Sequence, residues 1–364
     1  MSAAQLAEQA TLGALLLDPP AVAAVSGWLR AEDFADPWHA DVYTAIRELD
    51  AAHERGDAAA VGVALIDRHG YRVADAPRLL DLLQVVPLRP RPRHYAAMVL
   101  EGSLRRQVAC QGVLLEAAAL ACTIEGVPQV LDAVTAQVEA AVGVAETRWA
   151  LASRSAATVT PTAGRGERVV VLPPAVAADR LLTRHPAPAP GEVAAREVDL
   201  VACLIAHPDR VADVSGWLRP DALTAQAWRP VCTALLALHD AGVPIDVVTV
   251  AWEVTRGSHA HGPGPEPREL REAVEAASIL DPTYTIRAVA ADQLRATATR
   301  AAEALRTGAA HPGLDLRDLF GTTRLLTDTL RVAAERLDRP TPGAAPVGWE
   351  PSTTAPARLL VVGR

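Results

Sequence analysis

Apolar residues recur at spacings of three and four along most of this chain, which is typical of helices with one buried face. In the first fifty residues the repeating apolar positions are Leu12, Leu15, Leu16, Val22, Val25, Trp28, Leu29, Val42, Tyr43, Ile46 and Leu49. Pro19-Pro20 lies where one helix must stop and the next must start, because proline lacks the amide proton that a helix interior needs. The pattern predicts an all-α fold.

The pattern is repeated once along the chain. Residues 8–49 align without gaps on residues 197–238, and the block 25–30 recurs letter for letter as 214–219. Further on, the best alignment of identical letters changes the offset from 189 to 187, so that Val61 meets Val248. A period this long, present twice, indicates two copies of one domain rather than a solenoid of short repeats.

Each copy continues into two long helical segments that are separated by a short break. In copy one the segments are 95–121 and 128–146, and in copy two they are 286–306 and 316–337. Long amphipathic helices with a short connection form antiparallel hairpins. Each hairpin has an apolar stripe that must be covered, either by the hairpin of the other copy or by another chain.

The remaining segments differ in composition from the two copies. The predicted organisation is a first domain at 1–147, a Pro/Ala/Arg-rich and mostly disordered linker at 148–194, a second, diverged domain at 195–338, and a Pro-rich tail at 339–364. Two apolar runs, 168–172 and 358–362, lie in the linker and the tail. They are either buried locally, paired as strands, or peptides for a partner.

Copy two contains a predicted helix with both ends marked. Asp246 is the predicted N-cap of a helix that starts at Val247 and ends at Gly257. Copy one has Ala60 near the position of Asp246, so we expect this cap to be missing there, at a cost of about 1 kcal/mol.

Composition excludes several kinds of catalytic site. All 35 basic residues are Arg, and the chain contains neither Lys nor Asn. A Walker A loop, a Schiff-base lysine and a kinase active site each require Lys. We therefore expect no ATPase, no enzymatic activity and no cofactor. The net charge of −8 argues against general binding of nucleic acid.

Cysteine usage and hydropathy predict a cytoplasmic protein. The four Cys lack a C-x-x-C spacing, which argues against a disulfide scaffold or a zinc site. His259 and His261 share a glycine-rich segment, but no third ligand is placed by the sequence, so we interpret it as a flexible loop without a metal. No membrane span and no signal peptide are expected.

The most unusual local feature is a segment in which arginine alternates with proline. Arg89, Arg91 and Arg93 alternate with Pro90 and Pro92. Arg105 and Arg106 follow in the next helix. An extended Pro-rich segment presents such guanidinium groups to phosphates or to an acidic partner, although a solvated loop has the same composition.

The serial order of these features resembles the N-terminal domain of DnaB-type replicative helicases. The matching residues of copy one are Glu8-Gln9-Ala10, Leu12 to Pro19, Leu29-Arg30, Glu32-Asp33-Phe34, Pro37, His39, Val42-Tyr43, Ala45-Ile46, Leu49, Arg55-Gly56, Val86-Pro87 and His94-Tyr95. In copy two the matching part is Gly242 to Val250. Copy two departs from the pattern, with Leu223 in place of Phe34 and Trp228 in place of His39.

This resemblance implies a fold and a set of partners. It implies two helical bundles, each followed by a helical hairpin that pairs domains into dimers, and it implies the collar to which primase docks. The candidate structural or interface residues are Trp28, Phe34, His39, Tyr43, Trp217, Trp228 and Asp246. We expect no helicase motor within these residues, because its phosphate-binding loop requires Lys. The hypothesis is a non-catalytic interaction module of DNA replication that binds replicative helicase, primase or itself, including as a pseudo-dimer within one chain. The alternative is a nucleic-acid-binding accessory protein that uses Arg89 to Arg93 for a weak DNA contact.

Overall fold

A computed structural model of the chain describes residues 2–54, 56–70, 76–126, 129–154 and 175–338. All regular structure within these ranges is helical. The prediction of an all-α fold is therefore confirmed.

Copy one begins with a capped helix and ends in a hairpin. The Ser2 side chain accepts from the Gln5 amide, and the Gln5 side chain accepts from the Ser2 amide, which fixes the start of the first helix. That helix ends before Pro19, as predicted. The helices are α1 (Ala3–Leu17), α2 (Pro37–Ala51), α3 (Ala58–His69), α4 (Ala76–Val85), α5 (Pro92–Glu125) and α6 (Gln129–Ser153), with 3-10 turns at Pro19–Ala24 and Ala31–Asp33.

Copy two follows the same plan after one additional helix. Its helices are α7 (Ala175–Arg184), α8 (Pro190–Ala206), α9 (Ala212–Ser215), α10 (Arg229–Asp240), α11 (Val247–His261), α12 (Pro267–Ala277), α13 (Pro282–Ala310) and α14 (Leu316–Asp338), with 3-10 turns at Pro208–Arg210, Pro220–Ala222 and Gln226–Trp228. The predicted linker at 148–194 contains the end of α6, all of α7 and the start of α8, so the expectation of a mostly disordered segment is wrong for residues 148–153, 175–184 and 190–194. The apolar runs at 168–172 and 358–362, and the landmark Arg55, lie outside the described residues.

The helix caps correct the predicted alignment of the two copies. Asp57 accepts a hydrogen bond from the Ala60 amide at 3.0 Å and caps α3. Asp246 accepts from the Val248 and Thr249 amides, both at 2.8 Å, and caps α11, as predicted. Both copies are therefore capped, and the expected loss of the cap in copy one is wrong. The two caps are 189 residues apart, so the predicted change of offset to 187 is also wrong.

The buried positions of α3 and α11 agree with the unchanged offset. Val61 and Leu65 of α3 are fully buried, and their counterparts at the offset of 189, Val250 and Val254, are buried in α11. Helix α11 also continues through Gly257 to His261. The predicted C-cap at Gly257 and the predicted loop at residues 258–261 are wrong, because a glycine costs a helix interior only about 1 kcal/mol.

The helices form two compact units. The first unit contains the described residues of 1–114, 134–172 and 301–327, and the second contains those of 115–133, 173–300 and 328–364. Each of the hairpin helices α5, α6, α13 and α14 contributes to both units. The domain boundaries predicted from the repeat stay a prediction, since they follow sequence similarity rather than contacts.

Within the first unit, the end of the copy-two hairpin packs on copy one. Arg105 of α5 donates to the backbone oxygens of His311 at 3.0 Å and Leu314 at 2.7 Å. A Cβ atom placed on Gly112 would lie 3.1 Å from the Cα of Ala302, so α5 and α13 approach closely. Arg324 of α14 forms an ion pair with Glu146 of α6.

Within the second unit, the end of the copy-one hairpin packs on copy two. The Thr299 hydroxyl of α13 donates to the Glu116 carboxylate of α5 at 2.8 Å. A Cβ atom on Gly126 would lie 3.3 Å from the guanidinium of Arg287. These contacts lie between residues of the two hairpins.

Candidate partner-binding surface

A buried ion pair joins the globular part of copy one to its own hairpin. The Asp33 carboxylate is fully buried; it accepts from the Arg30 amide at 2.7 Å, from the Ser103 hydroxyl at 2.7 Å, and from the Arg148 guanidinium. The Arg148 Nε donates to the carbonyl of Trp28 at 2.9 Å. Burial raises the pKa of Asp33, and the Arg148 charge opposes this shift. These contacts hold α6 against the 3-10 turn that contains Asp33.

A second buried carboxylate fixes the start of α2. Glu8 accepts from the Ala35 amide at 2.7 Å and lies 2.8 Å from Nδ1 of His39. Burial acts to raise the pKa of Glu8, but the hydrogen bonds from His39, Ala35 and Asp36 outweigh it, and the pKa is lowered. Because the imidazole is itself buried and its Nδ1 faces Glu8, it positions the turn before α2.

Copy two keeps the counterpart of Glu8 and loses its imidazole partner. Glu197 accepts from the Ala225 amide at 2.8 Å, and Trp228 lies at the position that corresponds to His39. Burial raises the pKa of Glu197. Copy two therefore has Glu197 without the histidine that lowers the pKa of Glu8.

The predicted aromatic residues lie in the cores of the units. Phe34 and Tyr43 have ring centroids 5.2 Å apart, and burial raises the pKa of Tyr43 to about 12. Trp28 and Trp217 are buried, and each donates from Nε1 to a carbonyl of its own segment. Trp228 is buried as well. These side chains stabilise the core and are not accessible to a partner.

Of the five candidate arginines, three donate hydrogen bonds to backbone carbonyls and two are exposed. Arg93 donates to the carbonyls of Leu151 at 2.6 Å and Arg154 at 2.9 Å, at the end of α6. Arg106 donates to the carbonyl of Asp33 at 2.5 Å, and Arg105 binds the turn before α14, as described above. Arg89 and Arg91 are exposed and precede α5. The basic segment is thus shorter than the sequence indicates, since α5 already begins at Pro92.

An exposed apolar groove in copy two has no counterpart among the predicted sites. It is lined by α10, the following turn, α11 and the start of α12, with Leu238, Val243, Val247, Val248, Trp252 and Pro267 among its residues. Trp252 is 67% exposed and Val248 is 76% exposed. A large aromatic residue with this exposure is a common anchor for a protein partner. In the sequence, Trp252 lies two residues from each of the buried positions Val250 and Val254, off the buried stripe of α11, which is the signal that could have identified it.

No metal site is found among the described residues, where no three His, Cys, Asp or Glu side chains form a cluster. The side chains of His259 and His261 lie outside the described set. One described helix, Pro92–Ile124, is long and apolar enough to cross a membrane by length and composition. More than half of its most apolar window is buried in the protein, as in the core helix of a bundle.

Two segments of the chain match a known domain family. The DnaB-like helicase N terminal domain matches residues 1–101 and 192–289, which together are more than half of the chain. This chain belongs to the DnaB-like helicase N-terminal domain family. Membership accounts for the doubled helical bundle, and it relates the chain to the helicases of DNA replication.

A curated relative extends the comparison for part of the chain. The Replicative DNA helicase DnaB of Mycobacterium leprae (strain TN) is 40% identical over 104 residues. This match covers 28% of the present chain and 17% of the relative, so the two proteins share only a small part of the helicase's length. No solved structure gave a significant match to the chain.

Proposed function

We propose that this protein is a non-catalytic interaction module of DNA replication that binds the replicative helicase or primase. The observation that carries the proposal is the exposed apolar groove around Trp252, which lies on a domain of the helicase N-terminal family. Family membership supports replication as the context, and the groove supports a protein partner.

The exchange of hairpin ends between the copies supports a pseudo-dimer within one chain. The contacts of Gly112 with Ala302 and of Glu116 with Thr299 cover surfaces that a second chain would otherwise have to cover. A homo-oligomer is therefore not needed for burial of the hairpins. The groove then serves a different protein rather than a second copy.

The proposal is tested by a binding measurement with purified helicase and primase. We expect Trp252→Ala to weaken binding by about tenfold or more. A tryptophan that becomes buried against a partner contributes about 2 kcal/mol or more at an interface. Leu88→Ala is the matched control, since Leu88 is fully exposed and lies outside the groove. Binding of neither protein at micromolar concentration contradicts the proposal.

We further propose that the chain has no ATPase activity and acts in the cytoplasm. The absence of Lys from the 364 residues supports the first statement, because the phosphate-binding loop of such motors depends on that residue. Robust ATP turnover by the purified chain, retained through repeated chromatography, contradicts it.

A DNA contact through Arg89 and Arg91 is the second candidate, supported by the exposure of both side chains before α5. With two phosphate contacts, we expect weak DNA binding whose association constant falls as the salt concentration rises. The logarithm of this constant should fall with the logarithm of the salt concentration with a slope of about −2. Fluorescence anisotropy with single- and double-stranded DNA measures this slope. Binding that survives Arg89→Ala with Arg91→Ala contradicts this candidate.

A further inference from the structure

Helix α7 lies outside the repeated domain. The second match to the domain family begins at residue 192, whereas α7 ends at Arg184. At the offset of 189, α8 is the counterpart of α1, so α7 precedes the repeated part of copy two. The family fold therefore does not account for α7.

Little apolar packing holds α7 in place. Within this helix Ala178 is the one buried residue, and Leu181 and Leu182 are half-buried. On the opposite face, Val176 is 58% exposed. The following helix, α8, buries residues 200–205. Because hydrophobic stabilisation follows the apolar area removed from water, α7 is stabilised much less by packing than α8.

The segment after α7 is joined to the copy-two hairpin by one guanidinium group. Nη2 of Arg295 in α13 donates to the carbonyl of His185 at 3.1 Å and to the carbonyl of Pro186 at 2.9 Å. Both of these residues are exposed. Pro186 and Pro188 have no amide proton, so the segment has few backbone donors of its own. Arg295 is therefore the contact that holds this segment on α13.

The counterpart of Arg295 in copy one has a different role. Arg106, 189 residues earlier, donates to the carbonyl of Asp33 and holds the 3-10 turn against α5. In copy two, Arg229 binds the corresponding turn instead, donating to the carbonyl of Leu223 from Nε at 2.9 Å and from Nη2 at 2.7 Å. This exchange leaves Arg295 available for the segment that follows α7.

We propose that residues 175–189 form a strap that opens from the copy-two hairpin while α8 and α13 stay folded, with Arg295 as the contact that keeps it closed. The closed strap covers part of α13. The open strap exposes that part together with the inner face of α7, which carries Ala178, Leu181 and Leu182. Segments with few buried apolar contacts open locally at a lower free energy than the whole protein unfolds. The strap thus controls access to one side of the hairpin, whichever protein binds the groove around Trp252.

Hydrogen exchange of the full chain, followed by mass spectrometry, tests this opening. In the wild-type protein we expect the amides of α7 to be protected at least about a hundredfold less than those of α8 and α13, because they exchange through local opening. Arg295→Ala should speed exchange in α7 by about tenfold and leave α8 and α13 unchanged, since it removes two charge-assisted hydrogen bonds. Arg300→Ala is the matched control, because Arg300 lies on the same helix and donates within it, to the Ala296 carbonyl and the Thr297 hydroxyl.

A second variant tests whether α7 opens independently of the rest of the unit. Ala178→Asp places a charge at the buried position of α7 and should remove the protection of this helix. The midpoint of thermal unfolding should change by less than about 2 °C, because the bundle does not depend on α7. The proposal is overturned if α7 of the wild-type protein is protected as strongly as α8, or if Arg295→Ala has no more effect on α7 than Arg300→Ala. It is also overturned if either Arg295→Ala or Ala178→Asp speeds exchange in α7 and α8 alike.

Discussion

Glu8, Asp33 and Arg148 form the buried polar contacts of the first unit, and each is paired with a residue that is distant in the sequence. Asp33 meets Arg148 across 115 positions, and Glu8 meets His39 across 31. The sequence pattern predicted the apolar core, and the resemblance gave Phe34, His39 and Tyr43 as candidate structural or interface residues. It did not identify the buried charged residues, because the sequence around a buried Asp or Arg in a helical segment does not differ from the sequence around an exposed one. Only the tertiary fold brings opposite charges together away from water.

Arg148→Ala should destabilise the protein by about 3–5 kcal/mol, because it leaves the Asp33 carboxylate buried without its cation. The measurement is denaturant unfolding followed by circular dichroism. Arg324→Ala is the control: its ion pair with Glu146 is partly exposed, and its loss should cost less than about 1 kcal/mol. Equal costs for the two substitutions would contradict the assigned role of Arg148.

Glu8 and Glu197 should respond differently to pH. The lowered pKa of Glu8 contributes stability above its ordinary value of 4.5, and this contribution is lost as the pH falls through the folded-state pKa. The raised pKa of Glu197 acts in the opposite sense, so stability is lost as the pH rises through it. At pH 7, Glu8→Gln should therefore cost about 1–3 kcal/mol and Glu197→Gln should cost less. Unfolding measured at neutral pH and again below pH 4 tests both signs; a larger cost for Glu197→Gln at neutral pH would refute the assignment.

At the scale of helices, periodicity predicted where helices occur, while close packing and capping decided their details. Gly13 in α1 shows this, because a Cβ atom there would lie 2.0 Å from the carbonyl oxygen of Leu82 in α4. The equivalent position of copy two is Ala202, which is buried, so α8 and α12 accommodate a methyl group. The cap of α3 was missed because the alignment changed its offset to 187; at the unchanged offset of 189, Asp57 aligns with Asp246. Matching identical letters is therefore a weaker guide to helix starts than the position of a capping side chain.

The close approach of α5 and α13 at Gly112 is tested by a substitution there and by a control substitution at a glycine with open space around it. Gly112→Leu should destabilise the protein by about 2 kcal/mol or more, because the side chain meets the backbone of Ala302. Gly143→Ala in α6 meets no atom within 4 Å and should be neutral or stabilising, by up to about 1 kcal/mol, since alanine favours helix. Thermal unfolding compares the two, and a tolerated Gly112→Leu would show that the helices do not approach as described.

At the scale of the whole chain, the repeat predicted two domains, but it did not predict which hairpin surfaces pair. Both hairpins have apolar stripes of ordinary composition, and such stripes pack equally well on a second chain. The pairing depends on specific contacts, including Arg105 with the turn before α14 and Thr299 with Glu116. These contacts join residues more than 180 positions apart, so local sequence carries no sign of them.

Spin labels at positions 143 and 321 test whether the two hairpins pair within one chain. Both positions are glycines with open space around them, on α6 and α14 near the Glu146–Arg324 ion pair. The labels are introduced in a Cys110→Ser background, because Cys110 is the exposed native thiol. We expect one short, well-defined distance by pulsed dipolar spectroscopy that is unchanged when the sample is mixed with excess unlabelled protein and refolded. Loss of that distance after mixing would show that the hairpins pair between chains and would contradict pairing within one chain.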